Sequence, residues 1–151
     1  MDPRWLSDEE QRVWRAYLAM GSTVSRATGR QLAEDSDLPL TYYEILVHLS
    51  EAKGRTMRMS ALAAAIQGTQ SQLSHAASRL EERGWVVREK CADDGRGWLA
   101  ILTDEGMQAL EAAAPGHVAC VRSVLFDPLT PEQQEQLLDI ARAVVEAAGR
   151  D

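Results

Sequence analysis

The sequence predicts a mainly α-helical chain carrying one small β-hairpin. Three observations lead there. Helix-start signatures recur along most of the 151 residues, apolar residues follow them at helical spacing, and only residues 85–102 shift to a strand-like pattern. An apolar content of 45% is enough to build a core at this length and argues against disorder.

Ser7-Asp8-Glu9-Glu10 is a capping box, in which the serine oxygen accepts a backbone N–H and Glu10 reaches back. Trp14, Tyr17, Leu18 and Val24 follow, predicting a first helix to about Glu34, weakened at Gly21 and Gly29. Ser36-Asp37-Leu38-Pro39 breaks the chain, and Thr41-Tyr42-Tyr43-Glu44 offers a second capping box before Ile45 and Leu49. Lys53-Gly54 is expected to end that helix. A short third helix fits Ser60 to Ile66, with Gly68 as its stop. Thr69-Gln70-Ser71-Gln72 caps a fourth, in which Leu73, Ala76, Ala77 and Leu80 keep the i, i+3, i+4, i+7 rule up to Arg83-Gly84.

Trp85 to Lys90 and Trp98 to Leu102 read as two strands around a polar turn, with Asp94-Gly95 as the hairpin dipeptide because both residues tolerate positive φ. Thr103-Asp104-Glu105 starts a long helix that Pro115-Gly116 is expected to kink or interrupt. Thr130-Pro131-Glu132-Gln133 starts the last one, with Leu137, Ala141, Val144 and Ala148 on one face. Short helices, a tight turn, an amphipathic helix and then a two-stranded hairpin form the pattern of a winged helix-turn-helix.

The formal net charge of −7 opposes a nucleic-acid partner at first sight. Charge acts within roughly 8–10 Å, so its distribution decides. From Arg55 to Thr103 seven Arg and Lys stand against five Asp and Glu, whereas the remainder holds nine basic and eighteen acidic residues. The excess of acid lies outside this middle third of the chain. No stretch approaches the roughly 18 apolar residues that span a bilayer, and Met1–Trp5 lacks a basic segment followed by an apolar run. With Cys91 and Cys120 too few for a disulfide framework, a cytoplasmic location without membrane contact is expected. A Gly-rich phosphate loop, a nucleophile motif and paired catalytic carboxylates are all missing, so neither an enzyme nor a cofactor is predicted. His48, His75 and His117 form no ligand-spaced cluster with the cysteines, so no metal is expected either.

Several pieces, in order, resemble the MarR family, particularly members from high-GC actinobacteria. They are Leu38 to Ser50 (LPLTYYEILVHLS), Met57 to Ala63 (MRMSALA), Ser78 to Val86 (SRLEERGWV), Asp94-Gly95-Arg96-Gly97 and Leu102 to Gly106 (LTDEG). The resemblance implies one domain, with residues 37–103 as the winged helix-turn-helix lobe and 1–36 and 104–151 as N- and C-terminal dimerisation helices. It implies a homodimeric, ligand-responsive repressor on a palindromic double-stranded DNA operator, with a small-molecule effector of unknown identity. Asp94 and Arg96 keep the family's Asp-x-Arg wing pattern, while Gly95 stands where a basic residue is common. Sensing cysteines of some relatives lie in the N-terminal helical region, which neither Cys91 nor Cys120 matches.

The face of the fourth helix opposite its apolar stripe carries Gln70, Ser71, Gln72, Ser74, His75 and Arg79. A solvated helix face would look similar, but small polar residues without acid until Glu81 suit entry into a major groove, where Gln pairs with adenine. Arg96 at the hairpin tip suits a minor groove, with Asp94 orienting the turn. Arg55, Arg58, Arg88 and Lys90 are weaker candidates for phosphate contacts. Trp14, Tyr17, Tyr42, Tyr43 and His48 are candidates for the effector pocket, although aromatics at helical spacing are more often core. A second reading remains: a winged-helix interaction module that does not read DNA sequence, which the acidic exterior favours and the polar fourth-helix face opposes.

Overall fold

The computed structural model describes residues 3–93 and 95–149, and Asp94 of the expected hairpin dipeptide lies outside them. Its elements are α1 (Asp8–Ser36), α2 (Leu40–Glu51), β1 (Thr56–Arg58), α3 (Met59–Ala65), α4 (Gln70–Glu82), β2 (Val86–Lys90), β3 (Trp98–Leu102), α5 (Asp104–Val121) and α6 (Pro131–Ala148). The mainly helical class with a small β wing is therefore the observed one.

Three capping boxes form as their sequences require. Ser7 Oγ accepts the Glu10 N–H, Thr69 Oγ1 that of Gln72, and Thr130 Oγ1 that of Gln133, each with the reciprocal bond. Thr41 does not cap α2. The helix starts two residues earlier, with Pro39 as N-cap and its carbonyl accepting from the Tyr42 and Tyr43 N–H groups. Leu38 is buried, its N–H bonded to the Leu32 carbonyl, which draws the entry point forward and leaves Thr41 inside the first turn. Glu51 ends α2, and Lys53–Arg55 form a single 3-10 turn. At the end of α3 the left-handed residue is Gln67 (φ 53°) rather than Gly68, whose N–H returns to the Ala63 carbonyl.

The sheet has three antiparallel strands in the order β1-β3-β2, one more than the two-stranded wing expected. Thr56, Met57 and Arg58 pair with Ile101, Ala100 and Leu99. Three residues cannot display an alternation, so β1 is defined by its partner rather than by its own sequence. Strand β2 begins at Val86 because the Gly84 and Trp85 N–H groups are used in closing α4, on the Glu81 and Leu80 carbonyls.

Contacts divide the chain into two compact units, one made by the chain up to Thr28 and from Val118, the other by Gly29–His117. The second unit contains the helix-turn-helix and the hairpin, together with the end of α1 and most of α5. Its core packs Leu32, Leu38, Ile45, Leu46, Leu49, Leu62, Leu73, Leu80 and Val86, all essentially buried. Each such side chain contributes roughly 1.5–3 kcal/mol, which fixes the pitch of α4 about its axis. His117 of α5, half-buried, packs beside Tyr43 with ring centroids 4.4 Å apart. Burial lowers the His117 pKa, so the ring is neutral at neutral pH.

Pro115 does not interrupt α5, which runs unbroken to Val121; the irregularity falls later, in a π-helical turn over Arg122–Phe126. The N-terminal turn of α5 sits hard against the end of α4. Thr103 Oγ1 donates to the Gly84 carbonyl (2.7 Å) and accepts the Gly106 N–H (3.0 Å). A Cβ on Gly106 would collide with the Trp85 carbonyl oxygen and lie 2.7 Å from Leu102 Cδ1. Gly106→Ala should therefore lower stability by roughly 3 kcal/mol, the upper end of overpacking costs. Denaturant titration checks this; an unchanged midpoint would mean that α5 is free to move away.

Within the other unit, α6 presents Leu138, Ile140, Val144 and Val145 to solvent. The outer part of α1 likewise exposes Val13, Trp14, Tyr17 and Leu18. No helix among the described residues is long and apolar enough to cross a membrane.

Candidate nucleic-acid interface

Helix α4 buries Leu73, Ala76, Ala77 and Leu80, which turns the opposite face outward. Ser71 and His75 lie at the middle of that face, flanked by Gln70 and Ser74 on one side and Gln72 and Arg79 on the other. The first turn of α4 contains no acidic residue, unlike those of α1, α5 and α6. Its partial positive charge is thus left open to an anion.

On the first flank a cleft of about 830 Å³ separates α4 from the hairpin. Gln70, Ser71, Ser74 and Arg96 line it, so four of the expected contact residues converge. Arg58, Met59, Ser60, Glu81, Arg88, Gly97 and Trp98 complete the wall. Trp98 was not legible as a site residue. It shares a face of β3 with buried Ala100 and Leu102 but lies past the end of the core, where that face opens into the cleft. Lys90 sits 5.7 Å from the centre of its ring.

The other flank is different. Gln72 and His75 line a smaller groove of about 400 Å³ with Tyr42 and Glu44. The Gln72 Oε1 accepts the Thr69 N–H, so a bidentate pair with adenine would break the cap. Arg79 bonds Glu82 at 2.9 Å, and that hydrogen bond raises its already high pKa. At the hairpin tip Gly95 has φ 63°, as its turn position requires.

The weaker cationic candidates divide. Arg55 pairs with Asp104 at 3.0 Å. Arg88 is held by Glu81, with Nη2 to Oε2 at 2.6 Å, and Arg58 faces the cleft. The five aromatic candidates do not form a group in one unit. Tyr43 is core, Tyr42 lines the smaller groove and His48 is half-buried, all in the lobe. Trp14 and Tyr17 stack at 5.8 Å on the exposed part of α1 in the other unit. Cys91 is buried and Cys120 half-buried, both as free thiols. Among the described residues no group of three or more His, Cys, Asp or Glu could hold a metal ion.

Comparison with known proteins agrees with this architecture. A profile of the MarR family matches residues 36–97. The structure of Sco3205, a MarR family transcriptional regulator from Streptomyces coelicolor in complex with DNA, superimposes with a TM-score of 0.90 at 50% identity, covering 96% of this chain and 91% of that one. AbsC, a MarR family regulator from the same organism, gives 0.90 at 38% identity, over 99% of this chain and 100% of that one. The transcriptional repressor MprA of Escherichia coli is 26% identical over 105 residues, 70% of this chain; the match spans 59% of that repressor's length. Fold, sequence and the order of the elements agree: this chain belongs to the MarR family of transcriptional regulators.

Proposed function

We propose that the chain is a cytoplasmic homodimeric repressor that reads a palindromic DNA operator and releases it when a small molecule binds. The observation that carries this reading is the convergence of Gln70, Ser71, Ser74 and Arg96 on one cleft, beside a helix N-terminus without acid. The N-terminal turns of α4 enter the major groove, where Gln70 pairs with a base edge and Ser71 and His75 reach bases or phosphates. Arg96 follows the hairpin into the adjacent minor groove, drawn by its negative potential. The net charge of −7 is no obstacle, since residues 55–103, which carry α4 and the hairpin, hold seven basic residues against five acidic ones.

Dimerisation is supported by the terminal helices. Val144 is 64% exposed, Ile140 61% and Trp14 51%, an apolar surface that a second copy would cover by isologous pairing. The similarity to a DNA-bound regulator and to a named repressor supports DNA as the target and repression as the direction of control. The effector would act by changing the spacing of two lobes, so that both α4 helices no longer fit one duplex.

Light scattering combined with a gel shift on the DNA upstream of the chain's own gene tests this reading. The expected result is a dimer at micromolar protein that retards this DNA but not a scrambled duplex. A monomer, or equal retardation of both duplexes, would overturn it; retardation of neither favours the protein-interaction module.

A further inference from the structure

A carboxylate lines the cleft that the DNA is to occupy. Glu81 belongs to α4, one face of which, through Ser74, Ser78 and Glu81, meets a single residue of β2. Glu81 Oε1 accepts the Arg88 backbone N–H at 3.0 Å, capping the open edge of that strand. Its Oε2 accepts from Arg88 Nε at 3.0 Å and Nη2 at 2.6 Å. The same guanidinium donates to Ser78 Oγ at 3.0 Å and to Ser74 Oγ at 3.4 Å. Both side chains are largely covered, 23% and 32% exposed, so solvent screens this pair less than the open Arg79–Glu82 pair. Five hydrogen bonds thus tie the wing to α4 through one strand residue.

For affinity alone this arrangement is unfavourable. Glu81 repels phosphates from within the cleft and neutralises Arg88, the cation best placed beside Ser74. We propose that Glu81 is a positioning residue for sequence discrimination: with Arg88 it locks α4 and the hairpin into one rigid reader, at the expense of general attraction to DNA. This rests on the DNA-reading function proposed above. Locked together, α4 can seat its base contacts only where Arg96 also finds its groove, so a wrong sequence loses both. Unlocked, each element settles independently and phosphate attraction dominates.

The test measures fluorescence anisotropy at one salt concentration, with an operator duplex selected by the wild-type protein and a scrambled duplex of equal length. Glu81→Gln removes one negative charge per subunit and releases Arg88, so the scrambled duplex should bind several-fold tighter. The operator-to-scrambled ratio should fall by about tenfold, and the effect of Arg96→Ala on operator binding should shrink by a similar factor in the Glu81→Gln background, as expected when a coupling is lost. Equal tightening on both duplexes would overturn the proposal, because Glu81 would then be only a repelling charge. An unchanged ratio with an unchanged Arg96→Ala effect would overturn it too. If Glu81→Gln does not fold, Arg88→Lys keeps the charge without the two-nitrogen fork and must show the same loss of ratio; an intact ratio there overturns the clamp. A wild-type protein that binds both duplexes equally would instead remove the DNA-reading function, and the clamp with it.

Discussion

Replacing Arg96 by alanine should weaken operator binding and flatten its dependence on salt. Arg96 lines the cleft with Gln70, Ser71 and Ser74, at the end of a hairpin tied to α4. In a dimer the substitution removes two cations from the DNA interface. Each neutralised phosphate contributes about 0.9 to the slope of log K against log salt, so the slope should fall by roughly two. Between 50 and 200 mM salt the variant would then lose roughly fifteenfold less affinity than the wild-type protein. A slope and affinity that stay the same would put the hairpin off the DNA.

Substitutions along α4 should separate base reading from helix capping. Gln70 faces the cleft, so Gln70→Ala should cost roughly 1–3 kcal/mol per half-site on the operator and far less on random DNA. His75 lies at the middle of the outward face, on the side of the smaller groove, and its replacement should also alter sequence preference. Gln72 occupies the same face but holds the Thr69 N–H. Gln72→Ala should therefore lower stability by roughly 0.3–1.5 kcal/mol and weaken operator and random DNA alike. Binding to duplexes with single base changes, together with thermal melts, distinguishes the two outcomes. If Gln70→Ala weakens operator and random DNA equally, α4 only clamps phosphates.

The amphipathic helices were legible because their signals are local. For α4, Thr69, Gln72, Leu73, Ala76, Ala77 and Leu80 specify the cap and the buried face within twelve residues of chain, and both form. Features that depend on distant partners were not. Strand β1 exists through Ala100 and its neighbours across forty-odd residues of sequence, and the start of α2 moves because Leu38 is buried with its N–H on the Leu32 carbonyl. The candidate site divides in the same way. Gln70, Ser71, Ser74 and Arg96 converge as their positions on α4 and the hairpin suggest, whereas the separate duties of Gln72 and Arg88 depend on which neighbour each side chain meets. The aromatics Tyr42 and Tyr43 show the limit plainly. Adjacent on one helix, Tyr42 lines a groove while Tyr43 is in the core, where its ring meets His117 of α5.

In the proposed dimer two copies of α4 read two half-sites related by a twofold axis, and selection of tight-binding duplexes from a random-sequence pool tests this. The selected sequences should contain an inverted repeat whose half-sites are centred about one helical turn apart, roughly 34–36 Å, with base preferences that Gln70→Ala relaxes at matching positions in both halves. A single unpaired motif, or a pool that retains no sequence preference, would contradict the account.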